Sequence, residues 1–239
     1  MPMGGANQPP EAADAIKYGW AKFQQHWQVI IVALVVGFVA MAILVVIGFV
    51  IQGSLTDTSD CTVKITGNGF QKSGCDVSIF TRLAASGITN VMFFLGQSIL
   101  NYFVIRATLS IVKGEKLDAS HVMNFEKFGP YMITALLAGL LTFLGIFACF
   151  VGALVVSFFI MFWGYFVIDK DMAPLDAIKA SFNLVKDNVG VVLVFWLLTI
   201  VVTIAGAILC GVGLIVALPV VTIATGYMYK RLQGEPVAA

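Results

Sequence analysis

The sequence predicts an all-α integral membrane helix bundle with six transmembrane helices. Amphipathic interfacial helices and one small disulfide-pinned external β-hairpin complete the expected fold. Two uncharged stretches, Tyr131–Ile168 and Val189–Tyr229, carry most of that prediction, because each is long enough to cross a bilayer twice. Each stretch ends at charge, the first at Asp169 and Lys170 and the second at Lys230 and Arg231. Composition agrees. The chain is 59% hydrophobic and 11% charged, whereas a soluble domain carries roughly 25% charged residues. A formal charge of +1 gives no bulk attraction to nucleic acid, and no nucleic-acid partner is expected.

Residues 1–28 read as a cytosolic tail followed by an interfacial helix. Met1–Pro10 is a short Gly/Pro/Asn tail without the basic run and cleavage site of a signal peptide, so it is expected to stay on the mature chain. From Ala12 to Gln28, Ile16, Trp20, Phe23 and Trp27 recur at helical steps, and Lys17, Lys22 and Gln24 are expected to face headgroups. Trp20 and Trp27 are candidate interface anchors, as is Trp163 further on.

Residues 29–112 hold spans 1 and 2, joined by an external loop over 52–87. Span 1, about Val29–Ile51, has no ionisable side chain. Span 2, about Thr89–Val112, carries Gln97, Asn101 and Arg106. Gln97 and Asn101 are four residues apart and share a face, which is expected to turn inward because polar groups in hydrocarbon need partners. Arg106 sits near the cytosolic end, where it can snorkel.

Residues 113–169 and 170–231 read as two copies of one unit, each a surface helix followed by a transmembrane hairpin (spans 3–4 and 5–6). YFVI occurs at Tyr102–Ile105 and Tyr165–Ile168, LDA at Leu117–Ala119 and Leu175–Ala177, and N-x-x-K at Asn124–Lys127 and Asn183–Lys186. Thr142, Gly145, Cys149 and Gly152 precede Thr203, Gly206, Cys210 and Gly213 by a constant 61 residues. The expected spans are about 131–149, 152–169, 189–209 and 212–229, with Pro219 kinking the last. Pro174 can open the second surface helix, whose expected apolar face is Leu175, Ile178, Phe182 and Val185. Residues 232–239 form a second cytosolic tail.

With both termini in the cytosol, eleven of the fourteen basic residues fall inside, leaving Lys64, Lys72 and Arg82 outside. The expected location is thus a plasma membrane, crossed several times. Cys61 and Cys75 then lie in the one sizeable external loop, flanking a Gly67–Gly69 turn signal. A disulfide between them would close a 15-residue loop, worth on the order of 3 kcal/mol, and fits an oxidising compartment.

No catalytic constellation stands out. P-loop, dinucleotide and H-E-x-x-H motifs are missing, and the expected spans hold no carboxylate short of Asp169, the charge that closes one of them. His26 and His121 are poorly placed for haem ligation, and no cofactor, metal or catalytic residue is expected. Asp118, His121 and Glu126 share one segment, the weak basis of a lipid-enzyme reading.

The block YFVIDKDMAPLDAIKASFNLVKDNVG, residues 165–190, resembles a set of bacterial multi-pass membrane proteins, and in particular the actinobacterial Pro/Gly-rich transmembrane proteins. Their cytosolic N-terminal tail is usually much longer than MPMGGANQPP. The resemblance covers about residues 12–232 and is architectural. Members of that group are similar to a cofactor-free accessory subunit of the cytochrome bc1–aa3 respiratory supercomplex. It implies a non-catalytic accessory or assembly subunit of the bacterial plasma membrane. Its partners would be lipids and other integral subunits, cytochrome bc1 or aa3 oxidase components among them. Small-molecule or lipid transport, with two repeat halves around a site, is the alternative.

Overall fold

A computed structural model describes residues 11–56, 62–66, 69–73, 78–115, 124–147, 151–208 and 212–238. Among them are helices α1 (Ala12–Leu55), α2 (Ile79–Lys113), α3 (Phe128–Phe147), α4 (Val151–Phe159), α5 (Trp163–Lys170), α6 (Pro174–Asp187), α7 (Val189–Ile208) and α8 (Val212–Leu232). Strands β1 (Thr62–Thr66) and β2 (Gly69–Ser73) pair antiparallel, from Thr62 opposite Ser73 to Thr66 opposite Gly69. Among the described residues, six segments are long and apolar enough to cross a membrane: Ile30–Leu55, Ile79–Lys113, Phe128–Gly145, Val151–Lys170, Val189–Ile208 and Gly213–Leu232. The chain is a multi-pass membrane protein, because only helices that satisfy their own amides are stable at such lengths in hydrocarbon.

Element bounds differ from the expected ones in instructive places. The lead-in and span 1 form one helix, interrupted only at His26, whose backbone (φ −122°, ψ 16°) leaves the helical region. Helix α2 starts at Ile79, about ten residues before the expected span, because Ser78 caps it: its Oγ accepts the Thr81 N–H at 3.1 Å. Span 4 is two helices, α4 and α5, broken at residues 160–162. Ser181 of α6 mends the break, accepting the Phe162 N–H at 3.0 Å and donating to the Phe159 carbonyl at 3.1 Å. Both groups would otherwise be unpaired in an apolar setting.

The chain forms two compact units. One comprises Val35–Leu100. Here α1 and α2 approach backbone to backbone at glycines: a methyl on Gly96 would lie 3.0 Å from the Met41 Cα, and one on Gly48 3.2 Å from the Thr89 Cα. Close approach at small residues is how apolar helices associate when burial adds little. The Thr89 hydroxyl lies between the Gln52 side-chain oxygen at 2.7 Å and the Gly48 carbonyl at 3.2 Å. Large apolar side chains such as Phe38, Phe49 and Phe80 are exposed, as lipid-facing residues are.

The other unit comprises Met1–Leu34 and Asn101–Ala239. Its core is aromatic, with Tyr18, Tyr102, Phe162, Phe195 and Tyr229 fully buried. The start of α1 is attached by only part of its expected stripe, through Phe23 and the half-buried Ile16. Ala12, Ala15, Tyr18 and, from the stripe, Phe23 are buried, Trp20 and Trp27 are exposed, and Gly19 sits so close to α8 that a methyl there would lie 2.4 Å from the Val220 carbonyl. Ala15 and Gly19 let the backbones come close, and the rings of Tyr18 and Phe23 pack into the core on the same side. On α6, likewise, Ala177, Ile178, Ser181 and Val185 are buried while Leu175 and Phe182 are exposed. Helices α3 and α7 begin 61 residues apart, at Phe128 and Val189, and so do α4 and α8, at Val151 and Val212. Gly145 closes on Gly152 and Ala153 as Gly206 closes on Gly213.

Candidate functional site

The densest polar chemistry among the described residues lies where α2, α5 and α8 end. Tyr165–Ile168 of α5 are all buried, so the next residue, Asp169, enters the core with them; its side chain is 3% exposed. Its Oδ1 accepts from the Lys113 ammonium at 2.8 Å, and its Oδ2 from Lys230 at 2.6 Å and the Tyr229 hydroxyl at 3.1 Å. Lys230, 5% exposed, also reaches Glu235 Oε2 at 2.5 Å, and Lys170 holds Glu235 Oε1. The result is an alternating row: Lys113, Asp169, Lys230, Glu235, Lys170. The three lysines stand in the last turns of α2, α8 and α5, where the helix dipole favours cations. Burial by itself would raise the Glu235 pKa, but hydrogen bonds from Lys170 and Lys230 outweigh it and hold the group below the usual carboxylate range.

The segment after α8 folds back to supply Glu235. Gly234 takes a left-handed backbone (φ 72°) that turns the chain, as helix ends commonly require. The N–H groups of Gly234 and Glu235 donate to the carbonyls of Arg231 and Lys230. Val237 packs against the core, and the Ala238 N–H donates to the Val112 carbonyl at 2.8 Å.

Beside this row opens a polar cavity of about 270 Å³, lined by Arg106, Lys113, Lys127, Glu115, Glu126 and Asp169, among others. Arg106 donates to the Tyr102 hydroxyl at 3.0 Å and lies 5.7 Å from the centre of that ring. Tyr102 donates onward to the Asn124 carbonyl at 3.1 Å. Lys127 donates to the Ile168 carbonyl at 3.2 Å and pairs with Asp171 at 3.4 Å. The two YFVI segments therefore carry opposite charges on the next residue, Arg106 and Asp169, and both reach this cavity.

Of the residues singled out in the sequence, Arg106 joins the site. Gln97 is half-buried, Asn101 is exposed, and the buried polar residues of α2 are Ser98, Thr108 and Ser110. Trp163 is half-buried, 4.9 Å from the Tyr131 ring. Cys61 and Cys75, along with Cys149, Cys210, Asp118 and His121, lie outside the described residues. Among the described residues, no group of three or more His, Cys, Asp or Glu could hold a metal ion. Sequence reasoning missed Asp169 as a buried group and Glu235 altogether. The available signal was the match between Asp169 and Lys230, which are 61 residues apart, the interval of the repeat.

The chain is similar to the uncharacterized protein Mb2590 of Mycobacterium bovis, 26% identical over 228 residues, with 94% of this chain and 69% of that protein covered. The uncharacterized proteins MT2637 and Rv2560 of Mycobacterium tuberculosis show the same identity and coverage. No family model matches the chain, and no solved structure does.

Proposed function

We propose that this protein is a non-catalytic accessory or assembly subunit of a bacterial plasma membrane, working beside other integral subunits. The observation that carries this reading is that the charged groups brought together are paired with one another: both oxygens of Asp169 and both of Glu235 are taken by lysines of the same chain. Such a row fixes helix ends, which is a scaffold's task. Exposed apolar residues along α1, α3 and α7 leave surface for lipids and for neighbouring helices. Similarity to mycobacterial proteins supports an actinobacterial setting, and the cytochrome bc1–aa3 supercomplex as host rests on the resemblance of residues 165–190 alone. Both termini lie in the cytosol in this reading, and Cys61 and Cys75 close the β1–β2 hairpin outside. Solubilisation of native membranes in mild detergent should co-purify haem-containing subunits with the tagged chain. Recovery of the chain alone under conditions that keep the supercomplex whole would refute the assignment. One observation favours a second reading, small-molecule or lipid handling: the polar cavity of about 270 Å³ beside Asp169. Neither it nor the apolar cavity of about 20 Å³ between α1, α2 and α8 lies between the two hairpins.

A further inference from the structure

We infer that Lys170 and Lys230 form an anion-binding site for a phosphate group of an anionic lipid, occupied in this structure by the chain's own Glu235. The Glu235 carboxylate sits between two ammonium groups, one oxygen to each, as a bound anion would. Charge explains why something must sit there. Lys113, Lys170 and Lys230 against Asp169 and Glu235 leave +1; without Glu235 the same cluster carries +2, with Lys230 almost wholly buried. Asp169 cannot neutralise Lys230 alone, since its one charge also pairs with Lys113. Glu235 belongs to the short segment 233–238, which turns at Gly234 and is held at its far end by the Ala238–Val112 hydrogen bond and the packing of Val237. The position suits a headgroup: Lys170 and Lys230 close two membrane-spanning helices, and Lys170 keeps 35% of its side chain exposed. Displacement of one carboxylate by one phosphate leaves the ion pairing of Lys170 and Lys230 intact while releasing the Glu235 side chain.

Native mass spectrometry of the full chain, delipidated in detergent and titrated with phosphatidylglycerol or phosphatidylcholine, tests this. Glu235→Gln keeps the size of the side chain and removes its charge, so it should raise phosphatidylglycerol affinity about tenfold over wild type and leave phosphatidylcholine unchanged. Adding Lys170→Met to Glu235→Gln should abolish the gain. Inorganic phosphate as competitor separates the sources: displacement of the lipid at millimolar phosphate means the site reads the phosphate alone, and no displacement means it reads the lipid headgroup. Size-exclusion profiles and thermal midpoints establish that each variant is folded. Equal phosphatidylglycerol binding by folded wild type and Glu235→Gln, or a gain that survives Lys170→Met, would overturn the inference.

Discussion

The unit around Asp169 and the unit of residues 35–100 are held by different forces. Around Asp169, helix ends are fixed by directional contacts: two lysines and a tyrosine on one carboxylate, and two lysines on another. Over residues 35–100, two apolar helices meet at Gly48 and Gly96, with one hydroxyl, that of Thr89, in polar contact between them. The difference follows the solvent. At a membrane face, water and headgroups make charge affordable and pairing specific; in hydrocarbon, helices gain mainly from close fit. Disruption of the two regions should therefore differ in size and in kind.

Asp169→Leu should have the largest effect. It leaves the buried Lys230 with Glu235 as its one remaining carboxylate and Lys113 without its own, and breaking such a pair costs about 3–5 kcal/mol. Thermal unfolding in detergent should show a drop of that order. Gly96→Val comes next. Its added carbons meet the Met41 backbone, and overpacking of this kind costs about 1–3 kcal/mol. Loss of protection against hydrogen exchange should then fall within residues 35–100 and spare the ends of α5 and α8.

Much of this architecture can be read from the sequence, and the reasons are local. The last four spans follow from two charge-free stretches, and α6 begins at Pro174 because proline suits a first helical turn. The break at residues 160–162 cannot be read locally, because the hydrogen bonds that permit it come from Ser181, 19 residues beyond Phe162. The burial of Asp169 was likewise hidden. A carboxylate at the end of an apolar run looks like an exit into water unless its partners are known, and Lys113 and Lys230 lie on other helices. The inward face of α1 takes Phe23 from the expected stripe but not Trp20 or Trp27, because the close approach at Gly19 sets which side of the helix turns inward.

Smaller effects sharpen the contrast. The Glu235 pKa is lowered on folding, so its contribution is present above the unfolded value and is lost as pH falls through the folded one. Thermal midpoints should decline on acidification through the carboxylate range, and less steeply in Glu235→Gln. Thr89→Val should be the mildest change. An interhelical hydrogen bond in a membrane averages about 0.6 kcal/mol, so its midpoint should barely move.

The central claim is that Asp169 and Lys230 are energetically coupled members of the ion-paired row that fixes helix ends. A double-mutant cycle of Asp169→Leu, Lys230→Met and their combination, read by unfolding free energy in one detergent, tests it most directly. The account predicts that each single change destabilises strongly and that the double variant loses clearly less than the two losses summed. Strictly additive losses would contradict it.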